Sequence, residues 1–361
     1  MALRDRIDFV RNSKDLTLGM LMERLASVHG DRRLVEESND GLTLNYEEAA
    51  DLVARLAQGI AEETKPGDRV VIATPNGYGL FLACLAACRA GSIAVPANPK
   101  MRDDEIEHVI ADSGAALVVR DIKEIEADTA IPADAPVDPR DVAVLFYTSG
   151  TTGKPKGAEL SHRALVGAAG ANAAALPLNW TRQECVTGMP VAHVAGFTAL
   201  IQMAALGVPV YLLTKFRPDD AIEAIETRRA TMFIGVPAMY RMMIEAGAEN
   251  HDLSSVRMWT SGADVMPADL AKRFQRMGAT ITLPFAEKPI GLAAFVDGYG
   301  MVELAGGVAM RLFPPGVPVP GDGLVRAMRG HQLRVVDDKG ADVPRGEVGE
   351  LVVKGPGVMR G

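Results

Sequence analysis

Short apolar runs alternate with helical patterns along most of the chain. "RVVIATP" (69–75) reads as a buried strand, and "GLFLACLAACRAG" (79–91) as a buried helix stopped at Gly91. "SIAVPANP" (92–99) reads as a second strand, closed by prolines. "RDDEIEHVIADSG" (102–114) predicts an acidic-first helix, and "ALVVR" (116–120) the next strand. "RPDDAIEAIETRRA" (217–230) opens with Pro218 and acids and closes with arginines, the charge order that suits a helix dipole. It feeds "TMFIGVP" (231–237), a strand ended by proline. Alternation of this kind predicts an α/β fold with largely parallel sheets.

Three segments break the rhythm. Val186 to Thr214 carries no Asp, Glu, Lys or Arg, yet Pro190, His193, Gln202, Pro209 and three glycines interrupt it. A strand–loop–helix–strand unit is expected there, not a membrane span. "IPADAPVDPRD" (131–141) has no periodicity and reads as a linker. "HQLRVVDDKGADVPRGEVGELVVKG" (331–355) reads as two strands joined by a turn around Asp338, Lys339 and Gly340, a small antiparallel element after the α/β part.

Composition narrows the function classes. A chain of 361 residues exceeds what one compact core usually serves, so two or more subdomains are expected. Hydrophobic residues at 48% exclude a disordered chain, and a net charge of −8 gives no footprint for nucleic acid or a polybasic membrane anchor. Cys84 and Cys88 lie four apart in an apolar helix, and only Cys185 remains besides. They read as core thiols of a reducing compartment, and a cytoplasmic location is expected. The N-terminus is charged from Arg4 onward and does not read as a signal peptide.

Chemistry concentrates at "LFYTSGTTGKPKGAELSHRAL" (145–165). Between strand "VAVLFY" and a helix expected to start near Ser161 stand Thr148, Ser149, Gly150, Thr151, Thr152 and Gly153. Glycines allow backbone N–H groups to converge, hydroxyls add donors, and Lys154 and Lys156 add charge, so a phosphate chain is the natural guest. The spacing is not that of a Walker A loop: two residues separate Gly150 from Gly153, and Pro155 follows Lys154. A dinucleotide fingerprint fails as well, since Gly298-Tyr299-Gly300 is followed by Glu303 in place of a third glycine.

"YTSGTTGKPKG" (147–157) resembles the phosphate-binding signature of the adenylate-forming superfamily, and three later blocks agree with it in order and spacing. The resemblance implies ATP bound by residues 148–154 and Lys156. In "PVAHVAGF" (190–197) it makes His193 a gate beside the reacting carboxylate. In "TSGADVMP" (260–267) it makes Gly262, Ala263 and Asp264 the adenine side. In "DGYGMVE" (297–303) it makes Gly298, Tyr299, Gly300 and Val302 part of the ATP site, with Tyr299 stacking on the purine. Glu303 would hold Mg²⁺ together with Thr148. His193, Lys156 and Glu303 are the implied catalytic set. The implied fold is a large N-terminal domain of two stacked, mostly parallel sheets with flanking helices, spanning 1–330, with a small antiparallel β subdomain beginning at 331–361. The implied reaction is adenylation of a carboxylic acid with release of pyrophosphate, then acyl transfer to CoA, with an acyl-carrier protein as alternative acceptor. A non-catalytic module that binds nucleotide or acyl-adenylate is the alternative from another class.

Three departures qualify the resemblance. Val302 stands where the family usually has Thr, "ATITLPFAEKPIGLAAFV" (279–296) is longer than the expected connection, and the chain reaches Gly361 without the family's small domain and its lysine. On that reading the chain is an N-terminal portion, nearly inactive by itself. Amino-acid-activating members of the superfamily place an Asp shortly after the phenylalanine of the second block; here Phe197 is followed by "TALIQMAALG", so the resemblance argues against an amino-acid substrate. Phe197, Gly235, Val236, Met239 and Met243 are the candidate acyl walls, and with few aromatics (5%) a medium or long fatty acid is the expected substrate.

Overall fold

The structure, a computed structural model, describes residues 15–98, 100–130, 137–148, 154–167, 183–281, 290–316 and 321–361. The expected strands form where the short apolar runs lie: β3 (Arg69–Ile72), β4 (Ile93–Pro96), β5 (Leu117–Val119) and β10 (Met232–Gly235). Helices follow the longer patterns: α3 (Tyr78–Arg89), α4 (Asp103–Ser113) and α6 (Pro218–Arg228). Gly114 ends α4 in the left-handed region at φ +59°, a conformation that favours glycine. After helix α1 (Leu18–His29), helix α2 (Tyr46–Glu63) starts on a reciprocal cap, with Asn45 and Glu48 each accepting the other's backbone N–H at 2.8 Å.

A five-stranded sheet runs in the order β5-β3-β4-β6-β7, where β6 is Val142–Thr148 and β7 Lys156–Ser161. All its pairs are parallel except β6 with β7. The expected helix does begin after Ser161, but residues 156–161 form a strand first. Ala158 and Leu160 point inward at period two, and the glycine–hydroxyl loop therefore caps a β-hairpin. Residues 149–153 of that loop, and 131–136 and 282–289, lie outside the described residues.

The second sheet is nine-stranded. It contains β1 (Arg33–Glu37), β2 (Thr43–Asn45), β8 (Cys185–Thr187), β9 (Val210–Leu212), β10, β11 (Met258–Gly262), β12 (Ala294–Met301), β13 (Gly306–Phe313) and β14 (Leu324–Ala327). Its centre is parallel, and β2, β13 and β14 are antiparallel additions at the two edges. A separate antiparallel pair, β15 (Gln332–Val336) with β16 (Glu350–Lys354), occupies the segment expected to hold two strands. The charge-free stretch 186–214 folds as strand β8, a loop, helix α5 (Val194–Leu206) and strand β9. No described helix is long and apolar enough to cross a membrane.

The sheets share one core. Phe197 of α5 meets Phe81 of α3 edge-on at 5.0 Å and Phe146 of β6 at 5.4 Å, and all three are fully buried. Helix α3 is buried nearly all round, Cys84 and Cys88 included, and burial pushes both thiols upward in pKa. They are core thiols, as expected.

One core contact is sensitive to acid. Buried His162 accepts a hydrogen bond at Nδ1 from the Leu18 N–H at 3.1 Å. Burial depresses its pKa from 6.5 to about 4, with Asp141 opposing. Below 6.5 the unfolded chain takes up a proton that the folded chain refuses, so stability present above that pH is lost as pH falls toward 4. The loss from this group between pH 7 and pH 5 is expected to be about 2 kcal/mol. Urea unfolding at the two pH values checks this. An equal loss in a His162→Gln variant would remove the group from the explanation.

Candidate active site

A cavity of about 810 Å³ opens at the carboxyl ends of β8, β10, β11 and β12. Open α/β sheets commonly bind ligands at that end, because the turns leaving parallel strands gather there. Four wall segments carry expected site residues.

The first is the β6–β7 hairpin, which contributes Thr148 and Lys156. Helix α4 braces it from behind: His108 Nε2 lies 3.0 Å from the Pro155 carbonyl oxygen, and the Tyr147 hydroxyl donates to Asp112 at 2.8 Å. His108 and Asp112 are one helical turn apart, so a single face of α4 supports both ends of the hairpin. Among the described residues the Lys156 ammonium has no ion pair. Lys154 is exposed and stands off the wall. Ser149, Gly150, Thr151, Thr152 and Gly153 lie outside the described residues.

The second segment enters α5. His193 is its N-cap, with Nδ1 accepting the Ala195 N–H at 3.2 Å. The ring is exposed to the cavity, yet partial desolvation by the atoms around it lowers its pKa, and a ring nitrogen accepting at a helix N-terminus also favours the neutral form. The ring is therefore neutral at pH 7, with its proton on Nε2 and the cavity before it. Asn76 holds this loop by accepting the Val191 N–H at 2.8 Å and donating to the Thr214 carbonyl at 3.0 Å.

The third segment follows β11. Gly262 and Ala263 line the cavity, and Ala263 adopts φ +67°. A non-glycine residue there carries strain, which the surroundings must offset. Arg311 does so by donating to the Met266 carbonyl while pairing with Asp297 at 2.8 Å, tying the loop to β12 and β13. Burial raises the Asp297 pKa, and Arg311 opposes that shift. Asp264 is exposed, accepts the Val265 N–H at 2.7 Å and does not reach the wall.

The fourth is the end of β12. Gly298, Gly300, Val302 and Glu303 line the cavity, and Glu303 is half-buried in the same wall as Thr148 and Lys156. Tyr299, between two wall glycines, stands off the wall and is 51% exposed, because successive residues of a strand face opposite sides.

The wall expected to hold the acyl group differs most from expectation. Gly235 lines the cavity through its backbone; its missing side chain makes room for the Phe233 ring, which a Cβ would meet at 2.7 Å. Phe197, Val236 and Met239 do not reach the wall, and Met243 is fully buried in the core. The side chains there belong to Met189, Thr198, Ala199, Gln202, Ile234, Met328 and Met359. Thr198 and Gln202 had a sequence signal: they are the polar positions of an apolar helix, four residues apart. Met328 and Met359 had none, since they arrive from distant segments. Met359 is set by its N–H bond to the Glu303 carbonyl at 2.7 Å.

With this geometry in place, the chain can be compared with known proteins. The AMP-binding enzyme family matches residues 22–135 and 121–361. The chain belongs to the AMP-binding enzyme family. Within it, a feruloyl-CoA synthase from Amycolatopsis sp is 34% identical over 352 residues, covering 89% of this chain and 67% of that protein. A fatty acid–[acyl-carrier-protein] ligase, ScoC of Streptomyces coeruleorubidus, is 27% identical over 89% of this chain and 66% of its own length. The chain thus spans about two thirds of the length of these relatives. In fold, the N-terminal domain of FACL13 from Mycobacterium tuberculosis superposes with a TM-score of 0.81 at 20% identity, covering 96% of this chain and 91% of that domain. The expected α/β architecture is thereby confirmed for this AMP-binding enzyme.

Proposed function

We propose that the protein activates a carboxylic acid with ATP and passes the acyl group to CoA. The observation that carries this reading is one cavity uniting Thr148, Lys156 and Glu303 with His193 and an apolar inner wall. A phosphate end and an acyl end that share one space suit an acyl-adenylate. A carboxylate oxygen attacks the α-phosphorus, the bond to the β-phosphate oxygen breaks and pyrophosphate leaves. The CoA thiol then displaces AMP from the mixed anhydride. No side chain is required as a nucleophile, so positioning and charge neutralisation are the protein's task.

In this reading Lys156 and the residues of the 148–154 loop neutralise the phosphates. Gly262 and Ala263 flank the purine, and Asp264 and Tyr299, which adjoin these segments without lining the cavity, are the residues the resemblance sets beside it. Neutral His193 donates from Nε2 toward the acid's carboxylate. Thr148 and Glu303 suit Mg²⁺: a hydroxyl and one carboxylate are the sparse oxygen set this ion takes with substrate phosphates. Bound there, the ion would neutralise phosphate charge. Val302 presents no donor at this wall, which leaves Lys156 and the hairpin to stabilise the developing charge. The assignment also divides the chain into an α/β portion through residue 330 and a β subdomain from 331, in a cytoplasmic enzyme.

A compact aryl acid is the favoured substrate. The inner wall is apolar but ends at Gln202, and the feruloyl-CoA synthase is the more similar of the two relatives above. A fatty acid, with CoA or an acyl-carrier protein as acceptor, is the second reading; Met189, Met328 and Met359 in the wall favour it. Thermal unfolding with hydrolysis-resistant acyl sulfamoyl adenosines separates them. An arylpropenoyl analogue is expected to raise the midpoint more than a long-chain acyl analogue. The reverse order would select the fatty acid, and no shift with either would overturn adenylate binding. A ligand at a hundred times its Kd stabilises by about 2.7 kcal/mol, which such a scan resolves.

A further inference from the structure

Val194, Thr198 and Gln202 recur every four residues along α5 and all line the cavity, so one face of the helix forms the floor of the acyl end. The Thr198 hydroxyl is already used, donating to the Val194 carbonyl of its own helix at 2.7 Å. The Gln202 amide is not. It is half-buried and has no hydrogen-bond partner among the described residues, while Met189, Ala199, Ile234 and Met328 make the surrounding wall apolar. Its amide atoms are open to the cavity's solvent, so a guest that displaces that water must supply a hydrogen-bond partner in its place.

Its distance from the reacting end is set by the helix. From His193 to Gln202 the chain advances nine residues. At 1.5 Å per residue that is roughly 13 Å along the axis, and the common backward tilt of helical side chains leaves that separation about unchanged. With a hydrogen bond of about 3 Å at each end, a separation of this size fits a propenoic acid carrying one ring with an oxygen at its far end, and an extended long-chain acid overruns it. An amide offers both a donor and an acceptor but no charge. It matches a hydroxyl or ether oxygen, whereas a distal carboxylate or ammonium would be desolvated without a counter-ion.

We infer that Gln202 determines specificity by pairing with a neutral oxygen at the distal end of an aryl acid. The inference rests on the cavity being the acyl-adenylate site. Calorimetric titration of the 361-residue chain with two arylpropenoyl sulfamoyl adenosines, with and without a para-hydroxyl, tests it. The hydroxylated analogue is expected to bind about tenfold or more tightly, because a site built to hydrogen-bond a hydroxyl discriminates against its absence. In Gln202→Leu, and in Gln202→Met of closer shape, the two analogues are expected to bind within about twofold of each other. Equal affinities in the parent chain, or a preference that survives in a folded variant, would overturn the role of Gln202 while leaving the adenylate site intact. Failure of both analogues to bind would overturn the adenylate site, and this inference with it.

Discussion

Replacing Glu303 by Gln is expected to weaken Mg-ATP binding by about ten- to a hundred-fold, the loss of a charge-assisted contact in a partly enclosed site. The side chain is half-buried in the wall that also carries Thr148 and Lys156, and its backbone is fixed by the Met359 N–H. Gln keeps the shape and one acceptor oxygen but removes the charge that would hold Mg²⁺. The substitution is therefore expected to leave the thermal midpoint of the ligand-free chain unchanged. Calorimetry with ATP, in magnesium and in EDTA, reads the effect: magnesium should strengthen binding in the parent and have little influence in the variant. An acyl sulfamoyl adenosine, which lacks the pyrophosphate, should bind both chains alike. Retention of full magnesium dependence by Glu303→Gln would place the metal elsewhere.

Gly300→Ala is the second large expected effect, and its cause is steric. A Cβ at this position would lie 1.9 Å from the Gly306 carbonyl oxygen and 2.7 Å from the Gly307 Cα, both backbone atoms of the paired strand β13. Neither can swing aside as a flexible side chain can, so β12 and β13 must separate at the bulge between Tyr299 and Gly300. A cost of about 3 kcal/mol or more is expected, at the upper end for overpacking. Gly298→Ala is the control in the same strand: its Cβ would meet only the Ser261 carbonyl oxygen at 3.6 Å, an ordinary contact. Denaturant unfolding should show a clear loss of stability for the first and a small change for the second. Equal midpoints for the two variants would contradict the close approach at Gly300.

The sequence disclosed what is local. Parallel strands buried on both faces write themselves as unbroken apolar runs, which is why β3, β4 and β10 were legible, and the edge strand β5 carries a short run of the same kind. The turns leaving β11 and β12 were legible because small and hydroxyl residues cluster there. The acyl wall was read less well, for a reason of direction. Phe197 precedes Thr198 by one position and so faces about a quarter-turn away, into the Phe81 and Phe146 cluster, while Thr198 and Gln202 face the cavity. Strand β7 was missed because Lys154, Pro155, Lys156 and Gly157 read as loop, although Ala158 and Leu160 alternate inward. Met328 and Met359 reach the cavity only through long-range pairing, which no local pattern records.

The most direct measurement of the central claim is a crystal structure of the chain with a hydrolysis-resistant arylpropenoyl adenylate. The expected result is one ligand in the cavity, its purine beside Gly262 and Ala263, its phosphate mimic near Thr148 and Lys156, and its aryl group lying along α5. A ligand bound outside that cavity, or a purine lying along α5 with the acyl group turned away from it, would contradict the claim.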